Sequence, residues 1–325
     1  MLVLSRRELE RLLAPADVIA AVESAFRQYA EGSCRVLPRQ GMAVPPDGLL
    51  VVMPSALLAS GVLGTKLVTV YARNRERGLP TLYASYLLLD LESGAPLALM
   101  EAGFLTGIRT GAASALAGRF LARPDSRSAA CFGAGVQAGF QLRCLIAVLP
   151  LERVLIVGRT RERAREFARA MAKELGISVE VAPDARAAVG QADLVTCSTT
   201  SPTPVFDGRD LRPGTHVDAV GAFRPETREV DTETVKRARV VVDTYAGALE
   251  EAGDILIPIK EGAITEAHVA AELAELVTGA RPGRMSAEEI TLFKSVGFAL
   301  EDAATARLAY ERALAAGIGQ RVSLE

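Results

Sequence analysis

Cys131-Phe132-Gly133-Ala134-Gly135-Val136-Gln137-Ala138-Gly139 is the stretch that decides the fold. An apolar run at 129–132 enters this glycine-spaced turn and an amphipathic segment at 137–148 leaves it, the strand–turn–helix order of a dinucleotide-binding βα unit. Gly133 permits a tight turn, and Gly135 lets a pyrophosphate approach the main chain beside Ala134, Val136 and Gln137. Gly139 is expected to let the helix pack closely on the sheet. The phosphates would rest on the first N–H groups of the helix, where the backbone dipoles favour an anion. A purely structural turn can have the same composition, so the surroundings must decide.

Downstream, the segments alternate as a doubly wound parallel sheet requires. Strands are expected at 129–132, 154–157, 179–182, 194–198, 215–220 and 240–243. The helix after the second strand carries Ala164, Phe167, Ala168, Met171 and Leu175 on one stripe and stops at Gly176. Upstream the pattern differs. A helix fits 15–30, and strand-like runs at 49–53, 64–71 and 83–90 are separated by turns at Pro45-Pro46-Asp47-Gly48, Arg77-Gly78-Leu79-Pro80 and Glu92-Ser93-Gly94. A helix at 104–121 follows, with a hinge expected at Arg123-Pro124-Asp125-Ser126. The last helix is expected over 286–316, with Ser286 and Glu289 spaced as a capping box, and would return to the first domain.

The expected architecture is α/β: a Rossmann domain at 119–300, and an α+β domain with an antiparallel sheet at 1–118 with 301–325. At 325 residues, half of them hydrophobic, the chain is long enough for two cored domains. Its 37 Lys and Arg against 39 Asp and Glu, with no long single-sign run, argue against a nucleic-acid or membrane-surface partner. No apolar run reaches the roughly 20 residues of a membrane span. Arg6 and Arg7 interrupt the N-terminal apolar residues, so no signal peptide is expected. Cys34, Cys131, Cys144 and Cys197 lack paired spacing, and the only histidines are His216 and His268. Neither a zinc site nor a disulfide framework is expected, and the setting is read as cytoplasmic. Cys131 and Cys197 lie in apolar strand-like runs and read as small core residues.

At the second strand's tip, where an acid would bind the ribose 2′-hydroxyl of NAD, the sequence is Gly158-Arg159-Thr160-Arg161. An arginine and a hydroxyl there suit a 2′-phosphate, so NADP(H) is favoured and NAD(H) remains open. The competing reading of these arginines is a solvated helix face. Cys197-Ser198-Thr199-Thr200, at the fourth strand's end, would pass beside the nicotinamide ribose.

In the first domain, Lys66 shares a strand face with Val68 and Val70, which is costly unless the ammonium meets an anion or snorkels to water. Arg109, in Thr106-Gly107-Ile108-Arg109-Thr110, falls in a first helical turn if Thr106 is the cap. There the dipole disfavours a cation unless a bound carboxylate reverses the penalty. Arg39, in Leu37-Pro38-Arg39-Gln40, is a weaker third cation.

Gly64-Thr65-Lys66-Leu67-Val68-Thr69, Gly78-Leu79-Pro80-Thr81 and Thr106-Gly107-Ile108-Arg109-Thr110-Gly111-Ala112-Ala113-Ser114 resemble the ornithine cyclodeaminase/mu-crystallin family. So do Gly133-Ala134-Gly135-Val136-Gln137, Ala252-Gly253-Asp254-Ile255 and Thr291-Leu292-Phe293-Lys294-Ser295-Val296-Gly297. The resemblance implies a homodimer paired through the first domains, and a carboxylate site at Arg39, Lys66 and Arg109 facing a nicotinamide, with Lys66 and Arg109 catalytic. It also implies cofactor contacts from Thr81, Arg109 and Val220. The cyclodeaminases carry a glutamate before the early Met-Pro and an aspartate after the fifth-strand Val-Gly. Here Leu50-Val51-Val52 and Phe223 stand at those places. A diamine therefore lacks its carboxylate, and the chain is more similar to members that reduce ketimines such as 1-pyrroline-2-carboxylate or 1-piperideine-2-carboxylate. A cyclodeaminase, an alanine-dehydrogenase-like enzyme and an NADPH-dependent ligand binder remain alternatives, and Phe223 would form an apolar wall of the pocket.

Overall fold

The computed structural model describes residues 1–323, and its contacts divide the chain into Met1–Arg109 with Ala299 onward, and Thr110–Phe298. The first unit runs β1 (Leu2–Leu4), α1 (Arg6–Leu12), α2 (Pro15–Ala30), β2 (Cys34–Val36), β3 (Gln40–Val44), β4 (Gly48–Leu57), β5 (Val62–Tyr71), β6 (Leu82–Asp90) and β7 (Pro96–Glu101). From the far end of the chain it adds α11 (Ala299–Ala316) and β16 (Gln320–Arg321). The sheet order is β16-β1-β7-β6-β5-β4-β2, with β3 also paired to β4. Every pairing is antiparallel except β1 with β7. Pro15, whose fixed φ suits a first helical position, starts α2. Alanine-rich α11 can approach β4, β5 and β6 closely, and the face it covers holds Met53, Lys66 and Tyr86 in register. On the other face, Met42 (58%), Leu67 (38%) and Tyr83 (50%) remain exposed.

Helix α3 (Ala102–Leu121) passes through the division, which falls between Arg109 and Thr110 rather than at the turn after the helix. The second unit then runs β8 (Ser128–Phe132), α4 (Val136–Ile146), β9 (Arg153–Val157), α5 (Arg161–Leu175), β10 (Ser178–Val181), α6 (Ala185–Val189), β11 (Leu194–Cys197) and β12 (His216–Ala219). It continues with α7 (Thr232–Arg237), β13 (Ala238–Val242), α8 (Tyr245–Glu251), α9 (Gly253–Lys260), β14 (Val269–Glu272), α10 (Leu273–Thr278) and β15 (Ile290–Lys294). All strands are parallel in the order β10-β9-β8-β11-β12-β15-β13-β14. The order reverses between β8 and β11, the switch point at which doubly wound sheets bind ligands. Ala164, Ala168 and Met171 bury the expected stripe of α5, which ends at Gly176 with φ +69°.

Three expectations are corrected. The single helix expected over 286–316 is instead a turn, strand β15 and helix α11. Ile290-Thr291-Leu292-Phe293-Lys294 is buried on both faces between β12 and β13, and periodicity does not separate such a run from a buried helix. Ser286 and Glu289 do interact, the Glu289 N–H donating to Ser286 Oγ at 3.2 Å, but they shape the turn before β15. Gly139 is not the close-packing glycine: a Cβ there would meet only the flexible end of Arg143, at 3.0 Å. The close approach at α4 is instead to another helix, at Gly111 on α3, where a Cβ would lie 2.5 Å from the Phe140 carbonyl oxygen of α4. Finally, α3 starts at Ala102, so Thr106 is no cap and Arg109 lies two turns in. The start is served by Glu101, whose carboxylate accepts from the N–H groups of Gly103 (2.6 Å) and Phe104 (2.9 Å).

Candidate functional site

In the second unit the glycine turn sits at the switch point. Gly133 has φ +115°, in the left-handed region, and a Cβ there would lie 2.9 Å from the Ser198 carbonyl oxygen at the β11 tip. Its N–H donates to the Val157 carbonyl at 2.9 Å, and the Ser198 N–H donates to the Phe132 carbonyl at 3.0 Å. The tips of β8, β9 and β11 are thereby tied together. Gly135 is the N-cap of α4, and no side chain caps that helix. A Cβ at Gly135 would meet nothing within 4 Å, and Val136 is 68% exposed, so an open space lies before the helix start. Open main chain at an uncapped N-terminus is what a pyrophosphate needs, and these residues fit one.

Arg159 and Thr160 follow β9 and are exposed, with Thr160 the N-cap of α5. Among the described residues, no ion pair engages Arg159 and no carboxylate stands at this tip before Glu162. The Cys197 side chain belongs to the core, and burial drives its thiol pKa well up, so Ser198 and Thr199 form the β11 tip. Val220 donates its N–H to the Cys197 carbonyl at 3.0 Å, placing the β12 tip alongside. Phe223, in the loop that follows, is 48% exposed.

The first unit gathers its cations beneath α11. Lys66 is 2% exposed, and its Nζ lies 2.7 Å from Asp302 Oδ2. Arg109 is 4% exposed; its Nε donates to Asp302 Oδ1 at 3.0 Å and an Nη to Glu301 Oε2 at 2.6 Å. Asp302 therefore bridges both cations. Burial pushes the Lys66 ammonium down to about 8, with Asp302 pulling it up and Arg109 and Arg39 pushing it further down. Burial also opposes the Arg109 charge, but Asp302 and Glu301 outweigh it and raise its pKa. Arg39 thus belongs to the same electrostatic cluster. Thr81 precedes β6 in this unit and accepts the Tyr71 N–H through its carbonyl at 2.9 Å.

The anion demanded by Lys66 comes from within the chain, and neither Glu301 nor Asp302 was singled out from the sequence. A signal existed: two adjacent acids in Ala299-Leu300-Glu301-Asp302-Ala303-Ala304, where an otherwise apolar helix start cannot bury charge without partners. Among the described residues no group of His, Cys, Asp and Glu side chains is arranged to hold a metal ion, and no helix is long and apolar enough to cross a membrane.

A parallel sheet in this strand order, with an open glycine turn at its switch point and a second α+β unit carrying buried cations, defines a dinucleotide-dependent oxidoreductase of Rossmann type. The sequence pattern of the ornithine cyclodeaminase/mu-crystallin family matches residues 1–317, and the chain belongs to that family. It is similar to the solved Delta(1)-pyrroline-2-carboxylate reductase of Thermococcus litoralis in complex with NADH and L-proline, at 46% identity and a TM-score of 0.96, covering 99% of this chain and 100% of that one. An archaeal alanine dehydrogenase dimer with bound NAD matches at 35% identity and a TM-score of 0.94, covering 100% and 99%. A Delta(1)-pyrroline-2-carboxylate reductase of Bacillus cereus is 36% identical over 324 residues, 99% of each chain.

Proposed function

We propose that this chain reduces a cyclic 2-imino acid, 1-pyrroline-2-carboxylate or 1-piperideine-2-carboxylate, to the L-amino acid with NAD(P)H. The carrying observation is the buried Lys66–Arg109 cluster, in a chain 46% identical to a reductase holding NADH and L-proline. Lys66 and Arg109 lie buried together with Glu301 and Asp302, and the Arg39 charge bears on Lys66, so this cationic pair is the chain's own candidate for receiving a substrate carboxylate. Phe223 and the apolar Leu50-Val51-Val52 offer no acid for a distal ammonium.

A reduced nicotinamide dinucleotide, when bound, supplies the hydride for the imine carbon. The chain's own residues do the rest. Arg109 and Lys66, with Arg39, bind and orient the carboxylate. Lys66 Nζ, poised at about 8, holds the proton destined for the nitrogen, and Asp302 keeps it charged. Gly133, Ala134, Gly135, Val136 and Gln137 receive the pyrophosphate, with Ser198, Thr199 and Val220 toward the nicotinamide and Thr81 as a further contact. Arg159 and Thr160 receive the 2′-phosphate, so NADPH is preferred and NADH accepted.

The enzyme acts as a homodimer joined through the exposed apolar sheet face of Met42, Leu67 and Tyr83; sedimentation of Leu67→Lys as a monomer tests this, and an unchanged dimer refutes it. Its four free cysteines suit a reducing cytoplasm, tested by locating a tagged chain in its cells. Similarity to alanine dehydrogenase favours a second reading, reductive amination of a 2-oxo acid. A panel of 2-imino acids, and of 2-oxo acids with ammonium, assayed with NADH and NADPH separately, decides between them. Turnover that requires ammonium would replace the first reading with the second.

A further inference from the structure

Three buried charges in the second unit lie behind the strand tips rather than among the residues already assigned. Glu229, Asp254 and Lys294 are each 0% exposed. Glu229 Oε1 accepts the Thr199 N–H at 2.5 Å, while Oε2 accepts those of Gly221 at 2.6 Å and Ala222 at 3.2 Å. One carboxylate therefore cross-links the chain leaving β11 to the chain leaving β12. Contact is close: a Cβ on Gly221 would lie 2.4 Å from the Thr199 nitrogen and 2.6 Å from Glu229 Oε1.

Glu229 is itself held. Asp254 Oδ1 accepts the N–H groups of Glu229 (2.7 Å) and Val230 (2.9 Å), and Asp254 Oδ2 pairs with Lys294 Nζ at 2.7 Å. Lys294 also donates to the Ala222 carbonyl, closing a ring back to the β12 tip. Gly253 lets α9 abut this loop, since a Cβ there would lie 2.1 Å from the Thr227 carbonyl oxygen. Burial raises the Glu229 pKa and Asp254 adds to it, while Lys294 and the Thr199 N–H oppose this, and five backbone N–H groups in all donate to the two carboxyl groups. Such burial is costly, and residue 199 and residues 221–222 are what it immobilises.

We propose that Glu229, backed by Asp254 and Lys294, is a positioning residue that fixes residue 199 and residues 221–222 against the nicotinamide half of the dinucleotide, through bonds that do not involve the pyrophosphate turn. The inference rests on the cofactor assignment above. Glu229→Gln is the discriminating variant: its single carbonyl oxygen can serve the Gly221 and Ala222 N–H groups, which leaves its own NH2 facing the Thr199 N–H.

The expected result is a rise of about tenfold or more in the NADPH dissociation constant, with that of 2′-phospho-ADP-ribose, which lacks the nicotinamide, changed less than about twofold. Amide exchange at Thr199 should accelerate while that at residues 129–133 stays unchanged. Equal weakening of both ligands, or weakening of neither, overturns the proposal. Should the variant fail to fold, wild-type exchange decides: NADPH must protect Thr199, Gly221 and Ala222 more than 2′-phospho-ADP-ribose does, and equal protection overturns it. If the wild type binds NADPH but reduces no imine, the substrate reading fails while these binding and exchange comparisons still judge Glu229.

Discussion

Asp302 on α11 accepts Lys66 at 2.7 Å through one carboxylate oxygen and Arg109 at 3.0 Å through the other, with all three side chains at most 5% exposed. This bridge sets the chemistry of the first unit. It keeps two cations in one buried place, where water cannot screen them: burial lowers the Lys66 pKa to about 8, with Asp302 pulling it up and Arg109 pushing it further down.

Lys66 should govern the pH dependence. Burial lowers its pKa to about 8, so the side chain is charged below that pH and neutral above it. An activity that needs the ammonium therefore falls as pH rises through about 8. The measurement is the pH profile of kcat/KM in wild type and Lys66→Arg; an inflection that persists in the variant assigns it to another group.

Arg109→Lys keeps the charge but loses the planar fork that bonds Asp302 and Glu301. The expected loss is about 10- to 100-fold in kcat/KM for the imine, with the NADPH dissociation constant nearly unchanged. Steady-state kinetics and fluorescence titration check both. Unchanged imine kinetics would remove Arg109 from the substrate site.

Gly135 and Gly111 should respond in opposite ways to alanine. Gly135 has φ −111°, which any residue adopts, and empty space where its Cβ would stand. Gly135→Ala should thus retain the wild-type Tm and weaken NADPH binding by about tenfold, by crowding the pyrophosphate. Gly111→Ala drives a Cβ against the Phe140 carbonyl and should cost about 1–3 kcal/mol, several degrees of Tm, with little change in dinucleotide affinity of the folded protein. Calorimetry and titration on both variants check the pair, and a lowered Tm in Gly135→Ala contradicts the reading.

The order of the second unit was legible up to β13 because each βα step carries its own signal, such as the Ala164–Met171 stripe and the Gly176 stop. Strands β14 and β15 were not: each is a short run beside helical neighbours, and β15 is buried on both faces, so local patterning gives no alternation to read. In the first unit, β1, β2, β3, β7 and β16 are short or lie near edges, and pairing with partner strands, distant ones for β1 and β16, rather than propensity creates them. Lys66 was legible as a costly cation on an apolar strand face, and Arg109 as a cation penalised in a first helical turn, although its helix starts earlier, at Ala102. Their partners Glu301 and Asp302 lie about 190 or more residues away, a contact that only the tertiary fold creates.

Arg159 should set the dinucleotide preference, because no ion pair engages it among the described residues and no acid competes at the β9 tip. Arg159→Ala should lower kcat/KM with NADPH by about 10- to 100-fold, the loss of a charge-assisted contact, and leave NADH nearly unaffected. Parallel loss with both dinucleotides would assign Arg159 to the fold instead.

The central claim is that the chain turns over an imine bearing one carboxylate. Its most direct test is a stoichiometric assay with 1-pyrroline-2-carboxylate and NADPH, following absorbance, L-proline and ammonia together, with ornithine as the parallel substrate. The account predicts steady NADPH oxidation matched one-to-one by L-proline, no ammonia, and no reaction with ornithine. Steady ammonia release from ornithine with only catalytic dinucleotide and no net absorbance change would contradict it.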